Sequence, residues 1–159
     1  PGEWDMAKVM GLSDDDFWEP IDHYFFWRKI VRPFPCAEVF YKGLCDMARV
    51  TVCTIPTRNP ECMAAKFEVL RREFDYDVRL ITCPDKYLMA RSTTLLVDDR
   101  DKNVDEFRAA GGHAILFPRP WNRDHDRYEW TGRPNPVEDS FNRYHRELRR
   151  ISAEVLSHE

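Results

Sequence analysis

Two adjacent carboxylates, Asp98 and Asp99, close the apolar run Leu95-Leu96-Val97 just before a polar, helix-forming stretch that starts at Asp101. In a parallel α/β sheet the carboxyl ends of strands are where side chains meet a ligand. Hard oxygen donors of this kind suit Mg²⁺, which takes one or two protein carboxylates and fills its other positions with water and substrate phosphate. Two more groups fall at equivalent places. Thr54 ends the run Val50-Thr51-Val52-Cys53, and Lys86 lies just past the run ending at Thr82. A hydroxyl donor, a fixed cation and an acid pair make a phosphate site, because phosphoryl transfer is catalysed chiefly by positioning and charge neutralisation. Taken singly, each group is ordinary: a strand-terminal Thr serves the backbone, a lone Lys is solvated, and two acids make a polar turn.

The elements that must position these groups alternate in type. Ser13 before Asp14, Asp15 and Asp16 reads as a helix N-cap with acids in the first turn, where the helix dipole favours them, and predicts a short helix toward Ile21. Aromatic residues crowd from Phe17 to Trp27, between Pro20 and the Pro33-Phe34-Pro35 punctuation, and suggest a small cap. A helix over residues 36–47 follows, with Val39, Phe40 and Leu44 on its apolar face. From Arg49 onward short β-branched runs alternate with helical ones, the pattern of parallel βαβ units. Strands are expected at residues 50–54, 78–82, 94–97 and 113–117. Asn59-Pro60 caps a helix with Met63, Phe67, Leu70 and Phe74 inward, and Asp101 caps another that ends at Gly111-Gly112. The stretch 118–136 is too long for a plain connection. Its Arg119, Trp121, Arg123, His125 and Arg127 could cover a phosphate, or could be a solvated loop with incidental charges. Asn135-Pro136 opens a last amphipathic helix with Phe141, Tyr144, Leu148, Ile151 and Val155 inward.

Composition limits the classes of function. A chain of 159 residues with 43% hydrophobic and 13% aromatic content is globular and long enough for one domain with a real core. The formal net charge of -4 gives no general pull toward nucleic acid or anionic membrane. No apolar run approaches the ~20 residues that span a bilayer, and no basic segment leads into an apolar one at the start. Cys36, Cys45, Cys53, Cys62 and Cys83 are odd in number, form no C-x-x-C pair and sit in or beside apolar segments, so reduced, mostly buried thiols in a cytoplasmic protein are expected.

The ordered set resembles a family. Thr54 in Val-Cys-Thr-Ile-Pro, Lys86 in Cys-Pro-Asp-Lys and Asp98-Asp99 in Leu-Leu-Val-Asp-Asp-Arg are similar to motifs two, three and four of the haloacid dehalogenase superfamily, above all its 5'(3')-deoxyribonucleotidase branch. The resemblance covers roughly residues 17 to 117, and three motifs in order are far more specific than any one. It implies an α/β class with a Rossmann-like parallel sheet, flanking helices and a small aromatic-rich helical cap, divided as a cap-like segment 1–34 and a core 35–159. It also implies Mg²⁺ and hydrolysis of nucleoside monophosphates. By that likeness Thr54 donates to the phosphate, Lys86 neutralises phosphate and nucleophile, Asp99 binds the metal directly, and Asp98 completes the metal side by orienting water or Lys86. Trp18 in Phe-Trp-Glu, and Phe25 beside Phe26, resemble the cap segment that contacts the base, although aromatics this dense are also what the core of a small cap is made of. Where the branch carries Ser after the motif-two Thr, this chain has Ile55, which removes one phosphate donor; Thr57 is the nearest substitute.

The superfamily's first motif, an apolar strand ending in Asp-x-Asp, has no counterpart. Asp14-Asp15-Asp16 follows Ser13, and Asp75 and Asp77 precede a strand instead of ending one. In the implied fold that strand lies between those carrying Thr54 and Asp98, where its loss leaves backbone donors and acceptors unpaired. Two expectations follow. In the first, the chain, which opens on Pro1-Gly2-Glu3-Trp4 without Met, belongs to a longer phosphatase whose nucleophile strand comes from a preceding segment or another chain, and these residues alone are inactive. In the second it is a non-catalytic relative that binds nucleotide or a partner. Within enzymes the rival is a polynucleotide-end phosphatase, whose fourth motif also resembles Asp-Asp-Arg. The partners expected are a nucleoside monophosphate, the complementing strand and a second copy in a homodimer, with no membrane.

Overall fold

The Ser13 hydroxyl accepts from Asp16 N–H at 3.2 Å and starts helix α2 (Asp14–Ile21), as its sequence predicts. A shorter helix, α1 (Met6–Met10), precedes it, capped by Asp5 and ended by Gly11 at φ +68°, a conformation that favours glycine. The structure is a computed structural model that describes residues 3–34, 37–75 and 77–125, with Arg146, Arg149 and Arg150. The last amphipathic helix and Arg127 therefore lie outside the described residues, apart from those three arginines, which are helical. By its contacts the chain forms two compact units, one of Asp5–Pro84 and one of Trp4 with the residues from Asp85 onward.

In the Asp5–Pro84 unit, a π-helical turn (Phe26–Ile30) follows α2 and packs against α4 (Pro60–Glu73). Trp27 joins the two: its Nε1–H donates to Ile21 O at 2.8 Å, and Lys66 Nζ sits 4.1 Å from its ring centroid. Asn59 caps α4 by accepting from Glu61 N–H, with Pro60 at the first helical position where its missing N–H costs nothing. The fully buried residues of α4 are Cys62, Ala65 and Val69; of the stripe expected from the sequence, Met63, Leu70 and Phe74 are half-buried and Phe67 is exposed. The physical reason is close approach. Small residues at i, i+3 and i+7 let neighbours come near, and the larger ones are turned to the flanks. In helix α3 (Ala37–Cys45) Phe40 and Leu44 of the expected face are half-buried and Val39 is exposed, while Tyr41 meets Phe74 at 5.1 Å between centroids. Cys45 is exposed as well, against the expectation of mostly buried thiols, whereas Cys62 is buried and Cys53 and Cys83 are half-buried. Strand β1 (Val52–Thr54) pairs in parallel with β2 (Leu80–Thr82), with Thr54 opposite Thr82.

In the second unit, a 3-10 helix (Lys86–Met89) leads to strand β3 (Leu95–Asp98), helix α5 (Asp101–Ala109) and strand β4 (His113–Leu116). β3 and β4 are parallel, with Leu95 opposite His113 and Asp98 opposite Leu116. Val104, Phe107, Ala114 and Leu116 form the core, and Met89, Ala90 and Leu96 pack on it. Gly111 at φ +88° ends α5, and a Cβ on Gly112 would run into the Phe107 ring, so this glycine pair is fixed by both conformation and space. Asp101 is the first helical residue rather than the cap, which is Arg100. Among the described residues the class is thus mixed helix and strand with two small parallel sheets of two strands each, a general α/β arrangement. Among the described residues no helix is long and apolar enough to cross a membrane.

Candidate functional site

β3 brings Asp98 to the point where the chain turns into α5, and its carboxylate organises that turn. Oδ1 accepts from Arg100 N–H and from Asn103 Nδ2, both at 2.9 Å, and Oδ2 accepts from Lys86 Nζ at 2.5 Å. The bond to the N–H two residues on is the Asx-turn habit of this side chain. The ion pair is nearly sealed from water, with 13% of the Lys86 side chain and 3% of the Asp98 side chain exposed. Lys86 is held there by the 3-10 helix, whose Met89 and following Ala90 lie against the Val104–Phe107 core. Phe117 N–H donates to Asp98 O at 2.7 Å and ties the end of β4 to the same corner.

Asp99 is half-buried and differently held. Trp121 Nε1–H donates to its Oδ2 at 3.0 Å. Burial, and then the Asp98 charge beside it, push its carboxyl above the usual range; the Trp121 bond and the nearby Arg119 work the other way. Next to Trp121, Asn122 is only 1% exposed. Its Nδ2 donates to Asp99 O at 2.9 Å and Phe117 O at 2.7 Å, and its Oδ1 accepts from Arg119 N–H and Asp124 N–H. Residues 118–125 therefore form a fold-back knot on the end of β3, not a solvated loop. They do not all cover a phosphate either. Arg123 grips Asp105 with two bonds of 2.7 Å and faces Asp101 at 3.3 Å, holding the Asp105 carboxyl below its usual range. The Arg119 guanidinium lies over Phe117, 4.4 Å from the ring centroid, and His125 Nδ1 is 3.1 Å from Asn122 O.

Lys86, Asp98 and Asp99 are thus brought together within one unit. Thr54, Trp18 and Phe25 belong to the other. Thr54 is half-buried at the carboxyl end of β1, and Ile55 after it is exposed. Thr57, the nearest substitute for the missing hydroxyl, donates its own to Asn59 O at 2.9 Å and is spent on the loop. Trp18 is 48% exposed and lines a cavity of about 300 Å³ with Asp15, Asp16, Glu19, Asp22 and Arg58. Phe25 is 59% exposed, stacked near His23. Neither aromatic is a cap core residue.

The donor set fits Mg²⁺ in part. Both Asp98 oxygens are taken by N–H donors, which suits an orienting role, whereas Asp99 is an acid crowded by a second acid, a situation that a cation relieves. Among the described residues no cluster of three or more His, Cys, Asp or Glu side chains is placed to hold a metal, so these two carboxylates would need ligands from water and phosphate. Sequence reasoning missed Asn103 and Asn122. Asn103 had a signal, since it stands in the first turn of the helix that follows Asp98. Asn122 gave no signal of its tie to β3, because its bond to Asp99 O closes over 23 residues, although its bonds to Phe117, Arg119 and Asp124 are local. No family model matches the chain, and neither a curated protein nor a solved structure matches it.

Proposed function

We propose that this chain supplies the cation and lysine side of a Mg²⁺-dependent phosphomonoesterase of haloacid dehalogenase type that acts on 5'-deoxynucleoside monophosphates. The observation that carries the reading is the sealed Lys86–Asp98 pair beside the crowded Asp99 at the carboxyl end of β3. A lysine locked to an acid at a strand end supplies fixed positive charge, with no reorganisation needed when a phosphoryl group arrives.

In this reading Asp99 holds the metal and Asp98 fixes both Lys86 and the turn that presents Asp99. Lys86 offsets phosphate charge, and Thr54, in the other unit, is the hydroxyl that the resemblance assigns to a phosphate oxygen. Mg²⁺, when bound, supplies charge neutralisation at the phosphate. In this proposal the nucleophile is an aspartate on a strand outside these 159 residues; it attacks phosphorus as the bond to O5' breaks and the nucleoside leaves, and water then cleaves the aspartyl-phosphate to free phosphate and aspartate. Among the described residues β1 pairs with β2 and β3 with β4, each with one neighbour, which is compatible with a further strand. Unpaired strand backbone is costly where it is buried. Trp18 and Phe25, both exposed in the other unit, are the residues that the resemblance assigns to base contact.

A substrate panel tests this on the full-length gene product. Free deoxynucleoside monophosphates should release phosphate with Mg²⁺, with little change between low and high salt. A preference for phosphate-ended oligonucleotides that falls steeply with salt would replace the reading by a polynucleotide-end phosphatase. Nucleotide binding without any phosphate release would make the protein a non-catalytic binding module.

A further inference from the structure

We propose that Trp121 is a positioning residue, whose indole N–H holds the Asp99 carboxylate in one orientation for a divalent cation. The inference rests on the reading of Asp99 as a cation ligand. Carboxylates that bind metals are themselves hydrogen-bonded, and the outer partner fixes their orientation and tunes their affinity. Here that partner is built with care. An indole has a single donor, and Trp121 spends it on Asp99 Oδ2 at 3.0 Å. Its neighbour Asn122 uses both its amide donor and its acceptor to bind backbone from the end of β3, the end of β4 and the turn around itself, so the place where Trp121 stands is set by four hydrogen bonds. The ring has a second support. Trp4 meets it edge-on at 6.0 Å between centroids, and the Arg100 guanidinium lies over Trp4 at 5.4 Å. A phenyl ring would satisfy the contact with Trp4 equally well; only the N–H requires an indole.

The test is a Mn²⁺ titration of the ¹⁵N-labelled full-length protein with inorganic phosphate present, followed by paramagnetic broadening. In the unaltered protein the Trp121 indole N–H and the Asp99 and Arg100 amide signals should broaden together, and Asp99→Asn should abolish the effect. Removing the indole N–H by Trp121→Phe should raise the Mn²⁺ midpoint, read at the Arg100 amide, by roughly tenfold with the rest of the spectrum retained. If Trp121→Phe loses its dispersed spectrum, 3-benzothienylalanine at position 121 decides, since sulfur replaces the N–H at nearly the same volume. A midpoint within about twofold of the unaltered protein, against a tenfold expectation, would overturn the positioning role while leaving the cation reading intact. Absence of localised broadening in the unaltered protein would overturn both.

Discussion

Asp99 is the residue at which stability and proposed activity pull apart. Its carboxyl is pushed up by burial and by Asp98, so the folded state holds its proton more tightly than the unfolded chain does. The linkage sign follows: the favourable contribution of protonated Asp99 is complete below the ordinary carboxylate range and is lost as pH rises through the raised value. Asp99→Asn should therefore match the unaltered protein in acid and gain about 2–4 °C in melting temperature at neutral pH without metal. Added Mg²⁺ should close that gap by stabilising only the unaltered protein. Scanning calorimetry at pH 3 and pH 7 reads both effects; a variant less stable at neutral pH would mean that Asp99 is held by its hydrogen bonds more than it is strained by burial. Trp18 offers a second check at this scale. With the full-length protein, Trp18→Ala should raise KM for nucleotides about tenfold, the loss of one stacking contact, and leave hydrolysis of a small aryl phosphate unchanged. Equal loss on both substrates would place Trp18 in folding rather than base contact.

Among the elements, the turn from β3 into α5 rests on the Lys86–Asp98 pair. Lys86→Met leaves the buried Asp98 carboxylate without its cation and should cost about 3 kcal/mol of stability by urea unfolding. Adding Asp98→Asn should recover part of that loss, because the uncompensated charge is then gone. No recovery would show that the lysine acts through packing alone. The same element shows what a sequence can disclose. The strand before the acids, the turn residue, the cap at Ser13 and the Asn59-Pro60 start are all local signals, and the structure has them where composition and spacing put them. The inward face of α4 was legible only in part: Met63, Leu70 and Phe74 are half-buried, but Phe67 and Cys62 are both apolar and only the neighbour's closeness decides which is buried. Nor was the Trp121–Asn122 knot, whose partners Asp99 and Phe117 are brought near by the β3–β4 pairing and not by any period in the chain.

For the molecule as a whole, the two units each carry one parallel pair of strands and one set of candidate residues. The net charge of -4 matches a small-molecule substrate better than a nucleic acid, since the electrostatic attraction that dominates polynucleotide binding is weak here. The proposed phosphate site relies on local cations, and Lys86 is held beside Asp98 with 13% of its side chain exposed. The central claim is that Asp99 serves a Mg²⁺-dependent phosphomonoesterase. Phosphate release from 5'-deoxynucleoside monophosphates by the full-length protein, with and without Asp99→Asn, tests it most directly. The account predicts Mg²⁺-dependent release that falls at least about a hundredfold in the variant, as expected when a metal ligand is lost; near-normal turnover in the variant, or release independent of Mg²⁺, would contradict it.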